Sequence, residues 1–276
     1  MASGNQYRGK HVTEFHLGTQ SWNFRAWIGP FYPPDTDTAD MLALYGRMFS
    51  TIEVDSSFYT IPAAPVLRGW REKVPDDFHF ALKVPQQITH TKRLVDANDE
   101  LDRFVERLRE LETALGPVLV QLPPDFLPSR DTVSAFEDFV SHLPRDIQWS
   151  VEFRHPRWLT DDTLDLLRES NVAVTLVDGR WFKQSRMLEL LADPTADFCY
   201  VRWMGPDRRI TDFSRPQVDR EADLAAWAEA FETIPERVTS VYGYFNNQFQ
   251  GHGPHSVREL QRLIGQQPVE PVALRT

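Results

Sequence analysis

The chain has 276 residues, 41% of them hydrophobic and 25% charged, the profile of a globular protein with a large core. A formal net charge of −10 argues against a global basic surface for nucleic acid, and no window approaches the roughly 18 uncharged apolar residues of a membrane span. A single cysteine, Cys199, excludes an internal disulfide and any Cys-based zinc or iron–sulfur cluster. Within DFCYVRW it reads as a small core residue rather than a nucleophile. The first residues, MASGNQYRGKHVTEF, carry no apolar run, so no secretory signal is expected and a cytoplasmic location follows.

In chain order, short apolar strands alternate with amphipathic helices. Period-2 patterns rich in Val, Ile and aromatics predict strands over 14–22, 51–57, 78–84, 117–122, 148–154, 172–178, 198–204 and 240–246. Helices are predicted over 37–49, with an acidic first turn, and over 98–115, stopped by Gly116-Pro117. Others are predicted over 129–143 before Pro144, 160–170 capped by Thr160, 219–234 before Pro235 and 252–264 before Gly265. Residues 179–197 hold only one short helix on this reading. Eight strands with helices between them predict a TIM-type (β/α)8 barrel, with an irregular or shortened helical unit after strand six. An open doubly wound sheet is the alternative, weakened because no GxGxxG follows the first strand. No linker or repeat appears, so one domain is expected over 1–276, with a core of about 14–265 and loose tails at 1–12 and 267–276.

The parity of each strand sorts its residues. In a barrel one face packs under the helices and the other fills the interior. Taking the apolar parity as outward sends Ile52 and Val54 out, and Glu53, Asp55 and Ser57 in. It sends His79, Ala81 and Lys83 in, then Leu119 and Gln121, then Ser150, Glu152 and Arg154. Strand one puts His16, Gly18, Gln20 and Trp22 on one face, strand seven pairs Tyr200 with Arg202, and strand eight groups Tyr242, Tyr244 and Asn246. Buried charges must pair or face water, so Glu53 and Glu152 are the expected partners of Lys83, Arg154 and Arg202. Gln20, Asp55, Lys83, Gln121, Arg154, Arg202 and Asn246, nearest the strand C-termini, are expected at the mouth, where barrel enzymes place their sites.

This set suggests a chemistry. Glu53, Asp55 or Glu152 would act as general acid or base, since a carboxylate near a barrel wall can have a raised pKa. Lys83, Arg154 and Arg202 would hold negative charge on a substrate or transition state. Gln20, Trp22, Gln121, Asn246 and Asn247 would bind and orient it. Aromatics crowd the predicted loops of that face, among them Trp27, Phe31, Tyr32, Phe58, Tyr59, Trp158, Trp181 and Phe182, as stacking platforms or as loop anchors. Gly251 and Gly253 lead into the last helix, whose N-terminus would suit a phosphate or simply follow a glycine loop. His16, His79 and His155 come from different strands, but the first two start too early to reach the mouth and no HExxH or HxH spacing occurs, so no metal ligands are assigned. No GxSxG, P-loop or kinase signature is present, and the sequence names no cofactor. The leading expectation is an enzyme, of hydrolase or isomerase type, acting on a small polar or anionic, sugar- or phosphate-like metabolite. The alternatives are nucleic-acid binding or cleavage through the arginines at 202, 208, 209, 215 and 220, which the net charge disfavours, and a non-catalytic binding module. A small-molecule ligand is expected and a membrane partner is not; the sequence assigns no oligomeric state.

LGTQSW, WIGPFYPP, TIEVDSSFYTIP, FHFALKVPQQITH, GPVLVQLPPDF, SVEFRHPRW and YFNNQFQGHGP follow one another over about residues 15–265. This ordered set resembles the domain-of-unknown-function 72 (YecE-like) family. The resemblance implies a TIM-type barrel, as the strand count does, and no established reaction. Barrels of that family have been likened to the endonuclease IV and sugar-isomerase group, whose metal-binding carboxylates and histidines do not map residue by residue onto this chain. One departure is visible: Gln20-Ser21 stands where the family usually has Ser-Gly, which bears on the turn after strand one.

Overall fold

A computed structural model describes residues 13–206 and 209–270. Eight strands form: β1 (Glu14–Gln20), β2 (Thr51–Val54), β3 (His79–Lys83), β4 (Leu115–Gln121), β5 (Trp149–Glu152), β6 (Ala173–Gly179), β7 (Phe198–Gly205) and β8 (Ser240–Phe245). They pair in parallel and in chain order, and β8 closes on β1 with His16 opposite Tyr242. Helices α1 (Met41–Gly46), α2 (Ala64–Arg71), α3 (Asn98–Leu108), α4 (Arg130–His142), α5 (Asp161–Glu169), α6 (Gln184–Ala192), α7 (Glu221–Phe231) and α8 (Gly253–Leu263) alternate with them. The fold is the TIM-type barrel that the pattern predicts, whereas α6, with nine residues, is no shorter than α5 and longer than α1 and α2, so the unit after the sixth strand is not a shortened one.

Several boundaries differ from expectation for local reasons. Helix α2 is absent from the sequence reading; its Pro65 lies in the first turn, where the missing N–H costs nothing, so proline starts this helix rather than breaking one. The helix predicted over 98–115 ends at Leu108 and tightens into a 3₁₀ segment that contains Glu112 at a φ of 50°. The helix predicted over 37–49 shortens to six residues. Strands β2 and β5 stop at Val54 and Glu152, which leaves Asp55 and Arg154 in the turns beyond them. Those turns face the mouth.

Two cores result. Between strands and helices lies a large apolar shell in which Trp27, Trp149, Trp158, Trp203 and Trp227 are fully buried. Inside the barrel a smaller cluster sets Ala81, Leu119 and Ala173 against Phe198, Tyr200, Tyr242 and Tyr244. Small residues on β3 and β6 leave room for rings from β7 and β8, which is how a closed barrel fills its centre. The seam between β1 and β2 is held by a side chain. The Tyr45 hydroxyl accepts from Thr19 N (2.8 Å) and donates to Thr51 O (3.1 Å), taking the place of a ladder bond. Gly18 permits this approach, since a Cβ there would meet Thr51 O at 2.0 Å. Among the described residues no helix is long and apolar enough to cross a membrane.

Candidate active site at the barrel mouth

Arg202 of β7 is the hub. It is 1% exposed, and its guanidinium donates from Nη2 to Glu53 Oε1 (2.7 Å) and from Nη1 to Glu152 Oε2. Glu53 also accepts from the Tyr200 hydroxyl (2.7 Å), and Glu152 Oε1 accepts from Gln121 Nε2 (3.0 Å) and Arg154 Nε (2.8 Å). The Gln20 and Asn246 amides meet at 2.7 Å, and the Gln20 oxygen, turned toward the axis, accepts from Arg202 Nη2 and Nε at 3.1 and 3.2 Å. Side chains from β1, β2, β4, β5 and β7, with Asn246 just beyond β8, thus share one network. The parity of the strands explains it, because each contributes an inward residue near its C-terminus.

Lys83 departs from the expected pairing. Its ammonium bonds Asp55 (3.1 Å) rather than Glu53, since Arg202 already satisfies Glu53. Lys83 also sits 5.0 Å above the ring centroid of Phe58, whose edge meets His90 at 5.0 Å. The Asp55 side chain is 42% exposed, and among the described residues its Oδ2 and the Nη atoms of Arg154 have no hydrogen-bond partner. The solvent edge of the network therefore offers two cations and one carboxylate.

The two buried carboxylates titrate apart. Burial raises Glu53, opposed by Arg202 and Lys83. Glu152 also suffers burial, yet Arg202, Arg154 and Lys83 outweigh it and hold the group at about 2. The expectation of a raised carboxyl thus fits Glu53 and not Glu152, which stays ionised throughout the physiological range. Burial lowers the His90 imidazole, and Arg154 and Lys83 lower it further. Sequence reasoning placed Tyr200 inward beside Arg202 without giving it a site role, and it passed over His90, which nothing periodic marks.

Some expected members lie elsewhere. Trp22 packs edge-on against Trp70 and joins no mouth hydrogen bond. Asn247 is buried behind the mouth, where its oxygen accepts from Trp27 Nε1 (3.2 Å) and Gly253 N (2.8 Å). That second bond occupies the first N–H of α8, so the predicted phosphate seat is filled by protein. Trp27, Phe31, Tyr32 and Trp158 are fully buried loop anchors. Of the arginine run, Arg202 is inside the barrel, while Arg215 and Arg220 pair with Asp212 and Asp223 of their own segments. Arg208 lies outside the described residues. His16 and His79 meet at the opposite end, ring centroids 4.8 Å apart, and His155 caps its own turn by accepting from Arg157 N. Among the described residues no three His, Cys, Asp or Glu side chains are placed to share a metal ion.

The cavities near this network are small. A cleft of about 70 Å³ at the mouth is lined by Glu152, Arg154, Arg180, Trp181, Asn246 and Gln248, among others. A larger cavity, about 790 Å³, is a groove between Tyr59–Ala63 and Arg103 and Arg107 of α3. None of the mouth charges lines that groove, so its size does not mark it as the seat of the chemistry.

The family description "Protein of unknown function DUF72" matches residues 16–275. The chain is 24% identical over 272 residues to the UPF0759 protein YunF of Bacillus subtilis, covering 90% of this chain and 94% of that one. It is 28% identical over 170 residues to the UPF0759 protein YecE of Escherichia coli K12, a match that spans 60% of this chain and 59% of the relative. A DUF72 family protein of Thermotoga maritima superimposes with a TM-score of 0.74 at 25% identity, over 90% of this chain and 97% of that one. A DUF72 family protein of Enterococcus faecalis, 18% identical, shares the fold with a TM-score of 0.72 over 93% of this chain and all of that one. The ordered motifs, the closed eight-stranded barrel and these matches lead to one conclusion: the chain belongs to the DUF72 family.

Proposed function

We propose that the protein is an enzyme acting on a small anionic metabolite, of sugar-phosphate or carboxylate type, at the C-terminal mouth of the barrel. The observation that carries this reading is the edge of the mouth network, where Lys83, bonded to the solvent-reachable Asp55, and Arg154, bonded to Glu152, both keep unspent N–H donors. Lys83 and Arg154 hold the anion. Asp55 exchanges protons with the bound substrate, and Glu53, raised by burial, is the deeper acid. Glu152 keeps Arg154 and Arg202 in place as an ionised partner. Gln20, Gln121 and Asn246 fix the orientation of these charges.

The test is a thermal-shift series with small phosphorylated and carboxylated metabolites. At least one should raise Tm in the natural protein and lose that effect in the double variant Lys83→Met/Arg154→Met. A panel that shifts nothing, or shifts both proteins equally, overturns the reading.

A further inference from the structure

We propose that His90 is a second acid–base group of the mouth, and that it takes up a proton when an anion binds between Lys83 and Arg154. This rests on the anion-binding reading above and goes beyond it by naming a group and a coupling.

The placement comes from local backbone. The chain after β3 makes a π-helical turn at Gln87–Thr91, a rare conformation that leaves wider spacing between backbone bonds and recurs at functional positions. Arg93, Leu94 and Asp96 follow with φ of 52°, 69° and 48°, three left-handed residues without glycine. This segment holds His90 half-buried and one ring away from Lys83, through Phe58. Its ring stands edge-on to Phe58 (5.0 Å, 85°), the same ring that Lys83 covers. Nδ1 lies 2.9 Å from Thr89 Oγ1, which fixes the ring. Nε2 has no hydrogen-bond partner among the described residues.

The charges facing the imidazole are Arg154 from the turn after β5, Lys83 from β3, Arg93 from its own segment and Asp125 from the loop after β4. Burial first, and then three cations against one carboxylate, hold the imidazole pKa below its ordinary value. A bound dianion beside Lys83 and Arg154 cancels that field, so the imidazole becomes a stronger base only when the substrate is present. In the chemical step the imidazolium Nε2–H gives its proton to a substrate oxygen, the N–H bonding pair staying on the nitrogen as its lone pair, and the neutral ring takes a fresh proton from solvent when the next anion binds. Asp55, across Lys83, supplies the opposite partner, giving a carboxylate and an imidazole of different strength on either side of the anion.

Sulfate is a suitable probe because it does not titrate near neutrality. In isothermal titrations the natural protein should bind sulfate about tenfold more tightly at about pH 5.5 than at about pH 8, with proton uptake from buffer, as expected for a raised imidazole pKa in the complex. His90→Gln should bind with one affinity at both values. In the natural protein the His90 ring proton, followed by NMR, should titrate at higher pH with sulfate than without it, which tests the coupling without a variant. An unchanged pH ratio in His90→Gln, or a His90 titration that sulfate does not move, overturns the role of His90 while anion binding stands. Absence of sulfate binding in the natural protein, or equal binding in Lys83→Met/Arg154→Met, overturns the anion site and this coupling together.

Discussion

At the base of the barrel His16, His79 and Tyr242 fill the interior as a stack of rings, with centroids 4.8 to 5.8 Å apart. At the mouth, Glu53, Asp55, Glu152, Lys83, Arg154 and Arg202 fill it with three negative and three positive charges. Both ends come from the inward parity of parallel strands, yet they are held by different physics. Burial lowers both imidazoles at the base, and His16 pushes His79 down further, against the opposite pull of Glu14 and Asp77. The mouth retains its charges because each carboxylate meets a cation. Buried ion networks seldom improve on well-packed apolar side chains. Stability therefore accounts for the base, and the proposal above reads the mouth as a ligand site.

The largest effect is expected where that network is cut. Arg202→Met leaves Glu53 and Glu152 without their shared cation and should cost about 3–5 kcal/mol at neutral pH by urea unfolding. The cost should shrink in acid. Glu152, with a folded value of about 2 against the usual 4.5, contributes stability that is present above pH 4.5 and lost as pH falls toward 2. Glu53, raised by burial, works in the opposite sense and is relieved on protonation. A variant as stable as the natural protein at pH 7 would mean that the mouth is not electrostatically coupled.

The base should respond weakly. His79 Nδ1 is buried without a hydrogen-bond partner, so His79→Phe removes an unsatisfied group and keeps a ring, with a change of about 1 kcal/mol or less. Because burial lowers both imidazoles, the unfolded chain binds more protons, and stability falls as pH drops below the usual 6.5. His79→Phe should remove part of that acid-side loss in thermal melts at pH 5 and 8. A cost matching that of Arg202→Met would erase the contrast between the two ends.

How much of this was legible in the sequence varies by element. Strand parity places Glu53, Lys83, Gln121, Glu152 and Arg202 inside because alternation survives in strands of only four to seven or eight residues. The partners were less legible. Lys83 goes to Asp55 because Asp55 lies in a 3₁₀ turn beyond β2, and turn geometry has no period to read. Asn247 differs from its neighbour Asn246 by one position, which turns it from the mouth to the back of Trp27. His90 needed a π-helical turn that no local pattern announces. At Ser21 the family departure did carry a signal: the residue has a φ of 65°, a conformation that favours glycine. Ser21→Gly should be the smallest change, stabilising by up to about 1 kcal/mol in chemical denaturation, and a loss of stability would contradict the strain at that turn.

Diffraction from crystals soaked in selenate tests the central claim most directly, since the anomalous signal locates the anion without reference to any reaction. The account predicts a peak beside both the Lys83 ammonium and the Arg154 guanidinium, and no such peak in Lys83→Met/Arg154→Met. Selenate found only elsewhere on the natural protein, with the mouth holding none, would contradict it.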